Sequence, residues 1–318
     1  MRWNDRIGRR LKLSDLHILL AVADAGSMAK AARVLSVSHP VVSRAITGLE
    51  HALDARLLER GSNGVVPTPH GRALISRSVA AFDELRQAVK DLEFLADPTV
   101  GEVRIGSTVP LSSSFVSAVV EKLTKRFPRL VFRLQATESA TLLEELSARK
   151  LDLLVARKFG PVAEGPWLFE TLYDDPYVIV AGADNPLVRR RKLDLAQLLD
   201  QPWALPPPDS LFGSVVVQAF RSRGLDYPRA SVVCFSFEVR NSLVASGRYL
   251  TVMPRSLLRL PARRPGIKIL PVQLPAPDMP IGLVTLRDRD VGPVARIFMK
   301  EAKELASELQ KGARGRQA

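Results

Sequence analysis

The run from Ser27 to Leu58, SMAKAARVLSVSHPVVSRAITGLEHALDARLL, decides how the rest of the chain is read. Met28, Ala31, Ala32 and Leu35 recur at helical spacing, and the small Ala29, Ala31 and Ala32 let a neighbouring helix approach closely. Ser36 and Ser38 read as helix-starting residues in a tight turn. Pro40 fits a first helical turn, whose amides lack intrahelical partners, and Val42, Ile46, Leu49 and Leu53 form a second apolar stripe. The opposite face carries His39, Val41, Ser43, Arg44 and Thr47, side chains small enough or donor-bearing enough to fit a major groove and reach base edges or phosphates. Two short amphipathic helices around a serine-rich turn also occur in ordinary helical domains, so periodicity alone leaves both readings open.

Working outward, Leu13–Ala25 places Leu16, Leu19, Leu20 and Ala23 at helical spacing behind Ser14, a candidate N-cap, and ends at Gly26. On the other side, Arg60–Gly71 (RGSNGVVPTPHG) sets paired glycines around two valines, as in a short hairpin or wing whose basic neighbours lie along phosphates, or in a plain surface turn. Thr68 as cap and Pro69 in the first turn predict a long helix to about Ala96. Its Leu74, Val79, Phe82, Leu85, Val89, Leu92 and Leu95 form a stripe that no short local partner would cover. At ~1.5 Å per residue the helix is roughly 40 Å long, enough to pair with its own copy and hold two reading heads apart. Packing against the chain's own C-terminal half is the alternative. Asp97, Pro98 and Thr99 then break the helix.

Taken together, Ser27, the Ala31 and Ala32 pair, Leu35, SHPVVS from Ser38 to Ser43, the Leu49 and Glu50 pair, and LLER from Leu57 to Arg60 resemble the winged helix-turn-helix of the LysR-type transcriptional regulators. The family commonly has Gln where His39 stands, which bears on base preference, and Gly where Asp54 stands, which concerns a turn. The resemblance implies double-stranded operator DNA as a partner, with Ser27, Ser38, His39, Pro40, Ser43, Arg44, Thr47, Arg60 and Thr68 as the contacting set. It further implies a homodimer or homotetramer, a small-molecule effector, and RNA polymerase as an additional partner.

Composition bounds the rest. At 318 residues and 46% hydrophobic content the chain can build two or three domains. Its net charge of +13 suits a polyanionic partner, yet residues 1–97 hold 14 basic against 11 acidic side chains, so most of the excess lies further on. Arg189–Lys192, Arg263 with Arg264, and the tail from Lys311 to Arg316 read as solvated surface. The sole cysteine, Cys234, lies in the apolar run SVVCF and reads as a buried small hydrophobe, which fits a reducing cytoplasm. The N-terminal MRWNDRIGRRLK has charge without a following apolar stretch, and no run approaches the ~20 apolar residues of a membrane span, so a cytoplasmic protein is expected.

Beyond Gly101 strands alternate with helices, the pattern of an α/β domain. EVRIGS, LVFRLQAT, LDLLVAR, PYVIVAG, PWALP, ASVVCF, RYLTVMP and Met279–Leu286 read as strands. SSSFVSAVVEKLTKRF, SATLLEELSARK, Leu193–Leu199, Leu211–Arg223, Phe237–Ser246 and Gly292–Leu309 read as helices. This order resembles the effector domain of the same family, whose fold is like that of the bilobed periplasmic solute-binding proteins; VRIGS, the FPRL turn, ELSARKLDLLVAR and SGRYLTVMP carry the likeness. The expected architecture is therefore α/β: a winged helix-turn-helix over residues 1–67, a linker helix used for dimerisation over 68–97, and a two-subdomain effector-binding domain over 98–318. Subdomain I would take about 98–172 and 275–310, and subdomain II about 173–274.

Ligands of such sheets lie beyond the carboxyl ends of strands, where helix N-termini offer unpaired amides. Ser107 and Thr108 follow VRIG, Glu138 and Ser139 follow LQAT, and Pro208, Asp209, Ser210 and Leu211 open the helix after ALPP. The resemblance places an effector between the subdomains against Thr108, Ser139 and Asp209–Leu211; each of these side chains also suits an ordinary helix cap. Helix-start amides and hydroxyls suit a small anion, whereas Glu138 and Asp209 favour a hydroxylated or amine-bearing ligand. Two other classes compete: a DNA-binding head fused to a catalytic α/β domain, and a solute-binding module. All four histidines, His17, His39, His51 and His70, lie in the first 70 residues, which removes histidine-based triads and His/Cys zinc sites from the α/β half. GxGxxG and GxxxxGK[ST] are absent. No catalytic residue, metal or cofactor is expected. A solute-binding module would need export and would not need residues 13–60.

Overall fold

The computed structural model describes residues 10–61, 64–158, 160–164, 167–258, 266–276 and 279–314. Arg263, Arg264, Arg316 and the start of the N-terminal basic run lie outside the described residues, as does the side chain of Arg60. The chain divides into two compact units, Met1–Val89 and Lys90–Ala318.

In the first unit, α1 (Leu13–Ala25), α2 (Met28–Val34) and α3 (His39–Leu53) enclose a core of Leu19, Val22, Ala31, Val42, Ile46 and Leu49. The buried face of α1 is Ile18, Leu19 and Val22, while Leu16, Leu20 and Ala23 are half-buried at its flanks. Its cap position is Lys12, and Ser14 is the second residue of the first turn, its hydroxyl turned to Asp15. Ser36 does not start a helix. Val37 N–H reaches the Ala32 carbonyl and Ser36 N–H the Arg33 carbonyl, a double closure that ends α2 and holds Ser36 at φ 55°. Ser38 is the cap residue of α3, with no side-chain bond to its amides.

The wing is a hairpin of β1 (Leu58–Gly61) and β2 (Gly64–Pro67), docked by the Val65 N–H to Gly26 O bond. The helix α4 (Pro69–Ala96) then starts at Thr68, whose hydroxyl oxygen accepts the Gly71 N–H at 3.0 Å. A Cβ at Gly71 would overlap the Leu57 carbonyl, so only glycine lets the helix start this close to the wing. The expected stripe on α4 divides. Leu74 packs on the head's core and Phe82 faces the His17 ring at 5.8 Å, but Leu85, Val89, Leu92 and Leu95 are 47–78% exposed.

The second unit holds two five-stranded sheets. The first has the order β4 (Leu130–Ala136), β3 (Gly101–Ser107), β5 (Leu153–Arg157), β12 (Ile281–Thr285), β6 (Leu168–Tyr173); the first three are parallel and β12 runs against its neighbours. The second has the order β11 (Ile267–Ile269), β7 (Tyr177–Gly182), β10 (Leu250–Pro254), β8 (Trp203–Leu205), β9 (Ala230–Val233). The chain therefore leaves the first sheet after β6, builds the second, and returns with β12. Sequence reading missed β6 and β11, both edge strands with one ladder and little apolar alternation.

Helices cover these sheets. After β3 the short α5 (Val109–Leu111) continues through a π-helical segment, Ser112–Val116, into α6 (Ser117–Arg126), so the helix opens three residues before the predicted Ser112. There follow α7 (Ser139–Ser147), α8 (Pro161–Glu164), α9 (Leu211–Arg221), α10 (Phe237–Ala245) and α11 (Pro293–Arg314). The helix expected at Leu193–Leu199 is a single 3-10 turn, Leu195–Leu198, held by a reciprocal Asp194 and Gln197 capping box. Cys234 lies just beyond β9 and is half-buried rather than buried, because that strand ends one residue earlier at the sheet edge. The return of α11 to the first sheet fits expectation: Phe298 and Ala302 sit in one core with Val103, Ile105 and Phe115.

Candidate DNA-reading helix and effector cleft

On α3 one face is committed to the core through Val42, Ala45, Ile46, Leu49 and Ala52, which leaves Ser38, His39, Pro40, Arg44 and Thr47 exposed. Arg44 Nε donates to the Pro40 carbonyl at 3.3 Å, so the guanidinium is steadied along its own helix. Ser43 is half-buried. Val41, expected on the open face, is instead half-buried and packs against the head's core, because it stands in the first turn of α3, next to the core residue Val42. Ser27 caps α2, its oxygen accepting the Lys30 N–H at 3.5 Å. Thr68 is withdrawn from the surface: its hydroxyl donates to Arg56 O at 2.7 Å while accepting from Gly71, so capping accounts for it.

Sequence reading attached no role to the carboxylate of Glu50. It accepts from Leu57 N–H at 2.8 Å and Leu58 N–H at 3.3 Å and pairs with Arg56 at 3.2 Å, locking the end of α3 to the wing. Asp54, where the related family commonly has Gly, is left-handed at φ 52° and closes α3.

In the second unit the carboxyl ends of the two sheets face one another. The loop after β5 meets the start of α9, since a Cβ on Gly160 would come 3.0 Å from Leu211 Cδ1. Arg157, at the end of β5, stacks over the Tyr177 ring at 4.5 Å and donates to Asp175 Oδ2 at 3.0 Å. Asp175, buried where the chain passes between sheets, also accepts from Ser256 N–H and Oγ–H, each at 2.8 Å.

The expected effector residues separate by the state of their hydroxyls. Ser107 is buried and bonded to Ser112 Oγ, which closes it to a ligand. Ser210 caps α9, accepting from Gly213 N–H at 3.0 Å and donating to Pro207 O at 2.6 Å. Pro208 and Asp209 are exposed in the loop before it, and Leu211 is 47% exposed. Thr108 and Ser139 differ. Both are half-buried, neither hydroxyl has a hydrogen bond among the described residues, and their strands β3 and β4 are adjacent, with Ser107 opposite Ala136.

Comparison with known proteins bears on both units. The family described as LysR substrate binding domain matches residues 96–307, and the bacterial regulatory helix-turn-helix protein, lysR family, matches residues 13–72. The chain belongs to the LysR family. It is a DNA-binding transcriptional regulator with an effector-binding domain. Among curated relatives, GbpR of Azospirillum brasilense is 28% identical over 90% of this chain and 84% of its own length, and PcaQ of Agrobacterium fabrum is 26% identical over 96% and 98%. A full-length OxyR variant from Pseudomonas aeruginosa has the same fold at a TM-score of 0.67 and 20% identity, covering 92% of this chain and 95% of its own. The LysR regulator CbnR, solved in complex with target DNA, gives 0.54 and 21%, covering 93% and 100%. Among the described residues no helix is long and apolar enough to cross a membrane, and no group of three His, Cys, Asp or Glu side chains could hold a metal ion.

Proposed function

We propose that α3 reads operator DNA through Ser38, His39, Pro40, Ser43, Arg44 and Thr47, with Ser27 and the wing around Arg60 on flanking phosphates, and that a small molecule held at Thr108 and Ser139 modulates this binding. The observation that carries the first half is the division of α3 into a fully committed apolar face and an exposed face of donors. Arg44 is the single cation on that face, and a guanidinium to a guanine edge is the commonest specific major-groove contact. Thr68 and Val41 take no part. The proposal includes a second copy of the chain on the exposed part of α4, operator DNA as the shared target, and RNA polymerase as the downstream partner. It assigns no catalytic role, in keeping with relatives named as regulators.

Arg44→Ala, titrated by fluorescence anisotropy against operator and random duplexes, tests the reading. Loss of a base contact should cost about 1–3 kcal/mol on operator alone, whereas loss of a phosphate contact weakens both duplexes alike and lowers the salt slope by about one. Unchanged affinity for both would remove α3 from the groove.

A further inference from the structure

Among the described residues, subdomain II carries a buried charge that no carboxylate pairs and that lacks a hydrogen bond at two of its three nitrogens. Arg240, the fourth residue of α10, is 4% exposed, and its Nε and Nη1 make no hydrogen bond. The ring of Phe212 lies 5.4 Å from its guanidinium carbon and that of Phe237 at 5.8 Å. Rings stacked on a guanidinium satisfy its faces and not its N–H groups, which project in the plane. Among the described residues, the groups that bear on it electrostatically are Cys234, Tyr227 and Tyr177, none of them a carboxylate; burial pulls its pKa down and these three do not offset that pull. Arginine does not give up its proton in a protein, so the charge stays. A buried, unpaired cation is strongly unfavourable unless something absent from the chain completes it.

The position of Arg240 says where that something comes from. Phe212 is in the first turn of α9, after β8, and Phe237 and Arg240 are in the first turn of α10, after the parallel neighbour β9. Arg240 thus stands at the carboxyl ends of the second sheet, on the side where Leu211 meets Gly160 and Tyr177 meets Arg157 of subdomain I. Phe212 and Tyr177 also stack, with ring centres 4.6 Å apart, giving the surroundings a flat apolar wall. Asn241, also buried with an unbonded amide, is offset about 100° around the helix axis from Arg240.

We infer that Arg240 anchors the carboxylate of a small organic acid with a flat apolar body, bound in the cleft between subdomains. The inference rests on the effector reading of that cleft and adds the ligand's charge and its anchor. It also revises the chemistry suggested by Glu138 and Asp209, both of which are exposed to water and so bear little on a ligand's charge.

The test is a thermal-shift and calorimetric comparison on the full-length protein with pairs of small aromatic and unsaturated carboxylic acids and their neutral primary amides. At least one acid should raise the melting temperature of the parent while its amide does not, and Arg240→Met should weaken that acid about ten- to hundredfold, the range for a charge-assisted hydrogen bond. Without ligand, Arg240→Met should melt at or above the parent, because it removes an unpaired buried charge; an arginine serving the fold would lower it. Failure of every acid, equal acid binding by parent and Arg240→Met, or a lowered melting temperature of the free variant each overturns the assignment. Binding of an amide that is lost in Thr108→Val would overturn the role of Arg240 while leaving the effector cleft itself standing.

Discussion

Asp54 shows what one residue costs where backbone geometry is fixed from outside. Its left-handed conformation is set by the closure of α3, in which the Ala55 N–H reaches back to Glu50 O, and Glu50 is itself tied to the wing. An L-residue there is strained by about 1 kcal/mol relative to glycine, so Asp54→Gly should raise the stability of the head by up to that amount in urea unfolding, with DNA affinity unchanged. A fall in stability would mean the Asp side chain has a role the geometry does not reveal. Thr108 and Ser139 give the second residue-scale expectation. Each offers a hydroxyl without a partner among the described residues, so Thr108→Val and Ser139→Ala should leave the ligand-free melting curve in place while each weakens effector binding by roughly 0.5–1.5 kcal/mol by calorimetry. Ser210→Ala should do the reverse, lowering stability by about 1 kcal/mol through loss of a cap and leaving the ligand contact set intact.

At the scale of elements, α4 is the informative case. Its sequence stripe spans the whole helix, and another face is covered as far as Asp83, Gln87 and Phe94, but the stripe members Leu85, Val89, Leu92 and Leu95 face solvent. A row of that size on a surface marks an interface. Val89→Glu with Leu92→Glu should dissociate the oligomer in sedimentation velocity and lower operator affinity, since two linked heads bind by avidity. The melting of the α/β unit should persist, because neither side chain is buried in it. A double variant that sediments like the parent would place the partner elsewhere. Sequence alone would have paired Val89 with Phe82; the fold keeps Val89 and replaces Phe82, which is half-buried against His17, with Leu92.

Over the whole second unit, stability at acid pH should depend on Asp152. Burial alone would raise its pKa, but the Arg104 side chain at 2.8 Å, Lys90 at 3.5 Å and the Arg104 amide outweigh that and bring it down to about 2; Arg289 adds a further bond at 2.8 Å. A carboxyl whose folded pKa lies below its unfolded value stabilises above the unfolded value of about 4, and loses that contribution as pH falls toward 2. The full contribution is about 2 kcal/mol, about half of it gone at pH 3. Urea unfolding of the parent and Asp152→Asn should therefore show a gap at pH 6 that narrows by pH 3. A gap independent of pH would assign the effect to packing.

Local physics made much of this protein legible from its residues in order. Helix periodicity with Gly26, Pro40 and Pro69 located α1 to α4, and the alternation of strands and helices located eight of the ten strands that build the two sheets, because each of these signals acts within a few residues. Even so, the face that α1 buries, the left-handed Ser36 and the edge strands β6 and β11 escaped, since each is decided by what packs beside it. The residues proposed to act divide in the same way. Arg44, Thr108 and Ser139 could be named from their places at a helix face or after a strand, but which serines were already bonded as caps needed the folded chain. Arg240 carried no sequence signal at all: an arginine within the first turn of an ordinary helix is usually solvated. Only the approach of Phe212 from another helix, over a sheet assembled from distant strands, takes it out of water and leaves its charge without a counterpart.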